Sequence, residues 1–405
     1  MSISQLAKEL KQSATLVMTE KARRLREKAE PVISMAAGEP FRTTPDEAVK
    51  VGSEALATGR VHYSPCRGEP VLIDAVVDYT RRYYNTQIDS SNVMITAGAK
   101  HGLYNLLVSL VNPKEEVIVI SPYWVSYPEM VRLVHARPVT VQPADGTHTP
   151  RLEDIESAVT PSTRAIIVNS PNNPSGVIYP PDLIGGLVEL CQKKKIYLIM
   201  DDIYHRLVFH GAKAVPCFDF TDGMTDDSYI IVVNGVSKSY GMTGFRIGWS
   251  IANPQVSSAL AKVSGQNTTC LSGPLQKAAA AALTGDQSCV EKMRAELQAN
   301  RDNMVALIDS FDGVSCVPPD GTFYCLADFS AYEKDDVKLA EFLLEKALVV
   351  TVPGSEFGAP GHLRLTYCGQ PEEINEALAR IKWALGCDSV DEIKMGGRTV
   401  RRSWG

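Results

Sequence analysis

Ser237-Lys238-Ser239-Tyr240-Gly241-Met242-Thr243-Gly244-Phe245-Arg246-Ile247-Gly248-Trp249 is the stretch from which the rest of the chain can be ordered. It follows a β-branched run, Tyr229 to Val233, and is rich in Gly and Ser. A Lys just beyond a strand in such a loop sits where open α/β sheets bind ligands, at the carboxyl ends of their strands. To attack a carbonyl, a Lys amine must be neutral part of the time, which needs desolvation or a nearby cation. Arg246 is a permanent cation and can grip a phosphate with two N–H groups. The same residues also suit a solvated surface loop, so their surroundings decide.

On either side of this loop, short β-branched runs alternate with helix-length amphipathic stretches. The expected strands are Val93 to Thr96, Val117 to Ile120, Val139 to Val141, Ala165 to Val168, Ile196 to Met200, Tyr229 to Val233 and Ile247 to Ala252. Lys100 to Leu110 and Asp182 to Gln192 have helical periodicity. Strands apolar on both faces and joined by helices imply an α/β fold whose large domain, residues 46–285, holds a mostly parallel seven-stranded sheet. Beyond about residue 285 the pattern changes. A long polar-periodic stretch, Gln287 to Phe311, precedes Thr322 to Ala327, the helical Val337 to Leu348, Leu348 to Val352, Leu363 to Tyr367 and the amphipathic Pro371 to Leu385. This mix predicts a smaller α+β domain over 286–388. Residues 1–45 form an N-terminal arm and part of that small domain, turning at Gly38-Glu39-Pro40. The aperiodic, basic 389–405 is expected to be a flexible tail. No internal repeat or low-complexity tract is present.

Composition narrows the function. The chain has 405 residues, 44% apolar and 22% charged, which is an ordinary globular balance. Lys and Arg number 41 against 47 Asp and Glu, a net charge of −6, so neither nucleic acid nor an anionic membrane is an expected partner. Nine cysteines without a C-x-x-C pair argue against a disulfide framework and against a metal site. Reduced thiols fit a cytosol-like compartment. Apolar runs such as Ile230-Ile231-Val232-Val233 are far shorter than the ~18 residues of a membrane span. The early basic residues Lys21, Arg23, Arg24, Arg26 and Lys28 are interleaved with Glu20, Glu27 and Glu30, unlike a transit peptide, and no targeting segment is expected.

Three further groups lie at ends of expected strands. Asn169-Ser170-Pro171-Asn172-Asn173-Pro174-Ser175-Gly176 offers amide donors on a fixed turn, although a plain turn would explain it equally well. Asp201-Asp202-Ile203-Tyr204 suits a protonated ring nitrogen and a phenolic oxygen, or a helix cap. Thr96-Ala97-Gly98-Ala99-Lys100-His101-Gly102 is a strand-to-helix turn whose free N–H groups would cradle an anion. An aldehyde-binding Lys, an acid, a phenolate donor and a phosphate cradle on one sheet edge match the groups of pyridoxal 5′-phosphate one by one.

With these residues in view, the chain resembles the class I aminotransferases of the type I pyridoxal-phosphate transferase fold, within them the bacterial and plant-like aspartate and prephenate subgroup. The resemblance runs from about Ser13 to Leu385. It is most specific at Ser121-Pro122-Tyr123-Trp124-Val125-Ser126-Tyr127-Pro128-Glu129-Met130, at Asn169 to Gly176 and at Met242-Thr243-Gly244-Phe245-Arg246. It implies that Lys238 attaches the cofactor aldehyde and then moves the proton between Cα and C4′. It further implies that Asp201 pairs with the pyridine nitrogen and that Tyr204 and Asn173 bond the phenolic oxygen. The phosphate is implied to lie among Ala99, Lys100, Ser237 and Arg246, with Trp124 stacked on the ring and Tyr63 arriving from the second subunit of a homodimer. Arg364 would grip the substrate α-carboxylate, helped by Gly38, Trp124 and Asn173, and Lys100 would meet a second carboxylate.

The resemblance therefore implies ping-pong transamination between aspartate and 2-oxoglutarate. Alternatives are an aromatic, alanine, kynurenine or prephenate aminotransferase, or a β-eliminating lyase on the same cofactor. Three departures from the family pattern stand out: Phe41-Arg42 follows Gly38-Glu39-Pro40 where the family usually has Asp-Phe, placing a cation near the site entrance; Asp202 replaces a common Glu, so two adjacent Asp compete for the ring-nitrogen role, which the motif spacing gives to Asp201; and Cys66-Arg67-Gly68 follows Tyr63 where smaller residues are common, adding an Arg near the subunit boundary.

Overall fold

A computed structural model describes residues 3–10, 12, 14–144, 146–386 and 390–402. Seven strands form the main sheet: β1 (Val93–Thr96), β2 (Glu116–Ile120), β3 (Arg137–Val141), β4 (Thr163–Asn169), β5 (Tyr197–Asp201), β6 (Ile230–Gly235) and β7 (Gly248–Ile251), in the order β1-β7-β6-β5-β4-β2-β3. All seven expected strands are present. β2 to β6 pair in parallel, whereas β7 is antiparallel to both β6 and β1. β1 to β6 therefore share one direction and β7 opposes them. Six carboxyl ends and the amino end of β7 meet at a single edge, which brings Arg246, just before β7, beside Lys238, just after β6.

The sheet alternates between two cores because successive side chains face opposite ways. Ile95, Ile118, Ile120, Ile166, Val168, Leu198 and Met200 pack with helices Pro70–Tyr84, Pro181–Lys194 and Gly273–Thr284 on one side. Met94, Val117, Val119, Ile167, Ile199, Ile231 and Val233 pack with helices Ala99–Leu110, Ser126–Leu133 and Pro254–Asn267 on the other. Burial on both faces explains the unbroken Val and Ile runs.

A second, antiparallel sheet has β8 (Ser315–Cys316), β9 (Tyr324–Asp328), β10 (Val352–Pro353) and β11 (His362–Thr366) in the order β10-β11-β9-β8. Helices Ser288–Ile308, Asp336–Ala347 and Pro371–Ala384 contribute the apolar side chains of its core. The arm joins this unit: Ile33–Ser34 pairs in parallel with Val349–Val350, and the Thr366 N–H donates to Met35 O at 2.9 Å. The arm then runs past β11 towards the main sheet edge.

The expected flexible tail needs correction over its described part. Residues 390–402 include an antiparallel hairpin, Glu392–Met395 with Arg398–Arg401, turning at Gly396-Gly397 with positive φ at both. Met395 is buried in the small unit's core, where Ile393 and Val400 pack against it. Arg398 pairs with Glu30 at 2.5 Å. The strands are four residues long, too short for a clear period-two signal, and the Gly-Gly turn was the readable cue. Residues 389 and 403–405 of that stretch lie outside the described residues. Among the described residues no helix is long and apolar enough to cross a membrane. Met395→Ala is expected to lower the unfolding free energy by about 2 kcal/mol in urea titration; an unchanged midpoint would mean that the hairpin is not anchored.

Candidate active site

Lys238 stands in the turn after β6, and its Nζ donates to Gly38 O of the arm at 2.6 Å. The rings of Tyr204 and Phe323 flank the ammonium at 5.9 and 5.6 Å. Desolvation lowers its pKa to about 8; Cys368 and Glu39 oppose that shift, while the Arg364 and Arg246 charges reinforce it. The site thus holds an amine that is neutral part of the time near neutral pH. Ser237 is buried beside it in the same turn.

Asp201 ends β5. Its Oδ2 accepts from the Tyr127 hydroxyl at 2.7 Å, and Asn169 Nδ2 holds its backbone oxygen at 2.7 Å. Burial raises the carboxyl to about 6, against the pull of Tyr127, the Ile203 N–H and Lys238. At pH 7 it is mostly ionised. The adjacent Asp202 has different surroundings: burial pushes it to about 8, with the Tyr84 hydroxyl opposing and Asp201 reinforcing. Position therefore separates two carboxyls that neighbour each other in sequence.

The turn from β1 into helix Ala99–Leu110 passes under Arg246. Gly98 has φ +79°, and a Cβ there would lie 2.7 Å from the Arg246 guanidinium. The free N–H groups of this helix start carry its partial positive charge. Arg246 donates to Thr243 O at 2.9 Å and Ala97 O at 3.3 Å, which leaves a guanidinium facing the cradle. Lys100 is exposed, with its Nζ 5.1 Å from the centroid of the Trp124 ring; desolvation and then the Arg246 charge lower its pKa. Trp124 meets Tyr127 edge-on at 5.4 Å.

Arg364, in β11, is 1% exposed. It donates to Asn173 Oδ1 at 3.1 Å and to Ala36 O at 2.9 Å, and stacks over Tyr324 at 4.3 Å and Phe357 at 4.9 Å. Its Nε is buried without a hydrogen-bond partner, and no carboxylate pairs with it among the described residues. A buried cation balanced only by rings and neutral oxygens is costly unless an anion completes it. Asn173 is fixed by its own N–H bond to Asn169 Oδ1 at 2.8 Å.

Eleven sequence-derived positions thus gather at one edge: Gly38, Ala99, Lys100, Trp124, Asn173, Asp201, Tyr204, Ser237, Lys238, Arg246 and Arg364. Tyr63 does not join them within this chain and is 90% exposed. Arg42 is tied to Glu296, and Arg67 donates to Ser91 O and Val93 O, so both cations are engaged elsewhere. Sequence reading gave no role to Tyr127, Asn169, Ala36, Tyr324 or Phe357. Tyr127 lay within a quoted motif and Asn169 opened another, but the remaining three become visible only when the arm and β9 to β11 fold together.

Residues 30–381 match the family model described as aminotransferase class I and II. The chain belongs to that family. This aminotransferase is 38% identical over 387 residues to a probable aspartate/prephenate aminotransferase of Thermus aquaticus, covering 95% of this chain and 99% of the relative. It is 33% identical over 390 residues to the aspartate aminotransferase of Bacillus subtilis, covering 94% and 98%. The solved Thermus thermophilus aspartate aminotransferase with maleate superimposes with a TM-score of 0.90 at 36% identity, covering 95% of this chain and all of that one.

Enzymes of this type use pyridoxal 5′-phosphate, and the aminotransferase's residues fit it. The lowered Lys238 amine suits the aldehyde, the ionised Asp201 suits a ring N–H, and the Gly98 cradle with Arg246 suits a phosphate. Because Lys238 is protonated below about pH 8, covalent capture of the cofactor by apoprotein should rise with pH and level off above about 8. Borohydride trapping at a series of pH values checks this, and a rise continuing towards the ordinary Lys value would contradict the desolvated amine.

Proposed function

We propose that the enzyme exchanges the amino group of aspartate with 2-oxoglutarate in ping-pong half-reactions, as a homodimer in the cytoplasm. The observation that carries this is the buried, incompletely bonded Arg364, together with a second cation, Lys100, at the cradle mouth. Two cations suit a substrate with two carboxylates. Arg364 takes the α-carboxylate in a bidentate pair, for which Asn173 and Ala36 O hold the guanidinium plane. Gly38 and Trp124 border the same space, and Lys100 takes the distal carboxylate.

Pyridoxal 5′-phosphate, when bound, supplies the aldehyde and the electron sink. Asp201 keeps its charge towards the ring nitrogen because Tyr127 and the Ile203 N–H favour the ionised carboxyl. Tyr204 and Asn173 would offer donors for the phenolic oxygen, and Trp124 would cover the ring. Ala99 and Lys100 N–H groups, Ser237 and Arg246 would hold the phosphate. With the cofactor bound, Lys238 would act as a positioned base for the substrate Cα proton, its lowered pKa matching the operating pH.

Dimerisation is supported by Tyr63, Leu56, Val61 and Val71, which stand exposed although apolar or aromatic. Tyr63 would complete the partner's phosphate site. The eight described cysteines are all free, in keeping with a reducing compartment. The Thermus aquaticus relative is named an aspartate/prephenate enzyme, which supports prephenate as a second acceptor.

Lys238→Ala should cost roughly 10³-fold or more in rate and abolish borohydride attachment of the cofactor; trapping at the same peptide would refute the assignment. Lys100→Ala should raise KM for aspartate about tenfold while sparing alanine. Equal losses for both amino acids would remove the distal-carboxylate role, and release of pyruvate with ammonia would identify a lyase instead.

A further inference from the structure

The arm crosses the site as a row of backbone carbonyls, each taken by a different donor. Met35 O accepts from the Thr366 N–H at 2.9 Å, Ala36 O from Arg364 Nη2 at 2.9 Å, Gly38 O from Lys238 Nζ at 2.6 Å, and Glu39 O from Cys368 Sγ at 2.9 Å. Two of these donors have work elsewhere in the reaction. Lys238 leaves Gly38 O when its amine attacks an aldehyde, and Arg364 divides its N–H groups with a carboxylate. The Thr366 N–H and the Cys368 thiol stay, and they flank the Ala36–Gly38 segment.

The proton assignment at Cys368 follows from its neighbours. Thr366 Oγ1 lies 3.1 Å from Phe323 O and 3.0 Å from Cys368 Sγ and has one proton to give. Glu39 O has none, so the thiol donates to it. Cys368 is 3% exposed, and burial raises its pKa, which keeps the S–H intact as a donor. The arm's other ties near this point, the Glu39 side chain to Thr243 and Arg42 to Glu296, are at least partly exposed, where such pairs contribute little.

We infer that Cys368 is a positioning residue whose thiol pins the Glu39 carbonyl, keeping the Ala36–Gly38 backbone in register with Arg364 and Lys238 while those two engage cofactor and substrate. This rests on the roles proposed above for Lys238 and Arg364.

Cys368→Ala removes the donor, whereas Cys368→Ser keeps one on a shorter bond, which relieves a contact already close for sulfur. In the holoenzyme, Cys368→Ala should raise KM for aspartate and 2-oxoglutarate about fivefold with kcat within about twofold. In apoprotein, the pH midpoint of borohydride trapping of pyridoxal 5′-phosphate at Lys238 should fall, because the ammonium loses a steady acceptor. Cys368→Ser should restore both readouts. A lowered melting temperature in Cys368→Ala with KM and midpoint unchanged, or identical behaviour of Ala and Ser, would overturn the inference and leave a packing role. Failure of the wild-type protein to attach cofactor at Lys238 would instead overturn the underlying site reading, and the inference with it.

Discussion

The reversal of the chain between β6 and β7 governs the site. Gly235 and Gly248 face each other across this antiparallel pair. A Cβ at Gly235 would lie 2.9 Å from Ile247 O, and one at Gly248 would lie 2.6 Å from Ala99 N. Three backbone segments, β6, β7 and the turn into helix Ala99–Leu110, therefore meet where no side chain fits. That close approach puts Lys238, Arg246 and the free N–H groups of a helix start within one small volume. The Lys238 amine and the helix start beneath Arg246 are placed by main chain, the stiffest material available, and tolerate little drift.

Electrostatics then depends on what the pocket withholds. Lys238 and Arg364 lie among Tyr204, Phe323, Tyr324 and Phe357, and among the described residues neither makes an ion pair with a carboxylate. Ring faces and backbone oxygens stabilise a cation less than a carboxylate would, so the amine is held low and the guanidinium is left with an unfilled bond. Asp201 is tuned the other way, with burial raising it and Tyr127 restraining the rise. An overall charge of −6 thus surrounds a centre that attracts anions.

Much of this was legible in the sequence because it is local. Strands buried on both faces announce themselves as Val and Ile runs, and Lys238, Asp201, Asn173 and the Gly98 turn each follow one directly. The direction of β7 was not legible: the same Gly-rich loop could precede a parallel or an antiparallel strand, and only pairing with β1 and β6 decides. Tyr324, Phe357 and Ala36 escaped because their relation to Arg364 is made across β9, β11 and the arm. The hairpin at 392–401 escaped because its apolar residues, Ile393, Met395 and Val400, are too few to set a period without the surface they cover.

The small unit is closed by contacts between distant parts of the chain. Arg380 donates to Pro31 O at 2.6 Å, 349 positions away in sequence, Ile33–Ser34 pairs with Val349–Val350, and Arg398 meets Glu30. The main sheet, by contrast, is contiguous from Val93 to Ile251. During vectorial synthesis the large sheet has all its strands before the helix carrying Arg380 exists, so the arm must wait unpaired until the last elements emerge. Loop closure over such a span costs only slightly more than over a shorter one, since the entropy grows logarithmically. Order of assembly is thereby built into connectivity: the large sheet comes first, and the arm that carries Gly38 to Lys238 is fastened last.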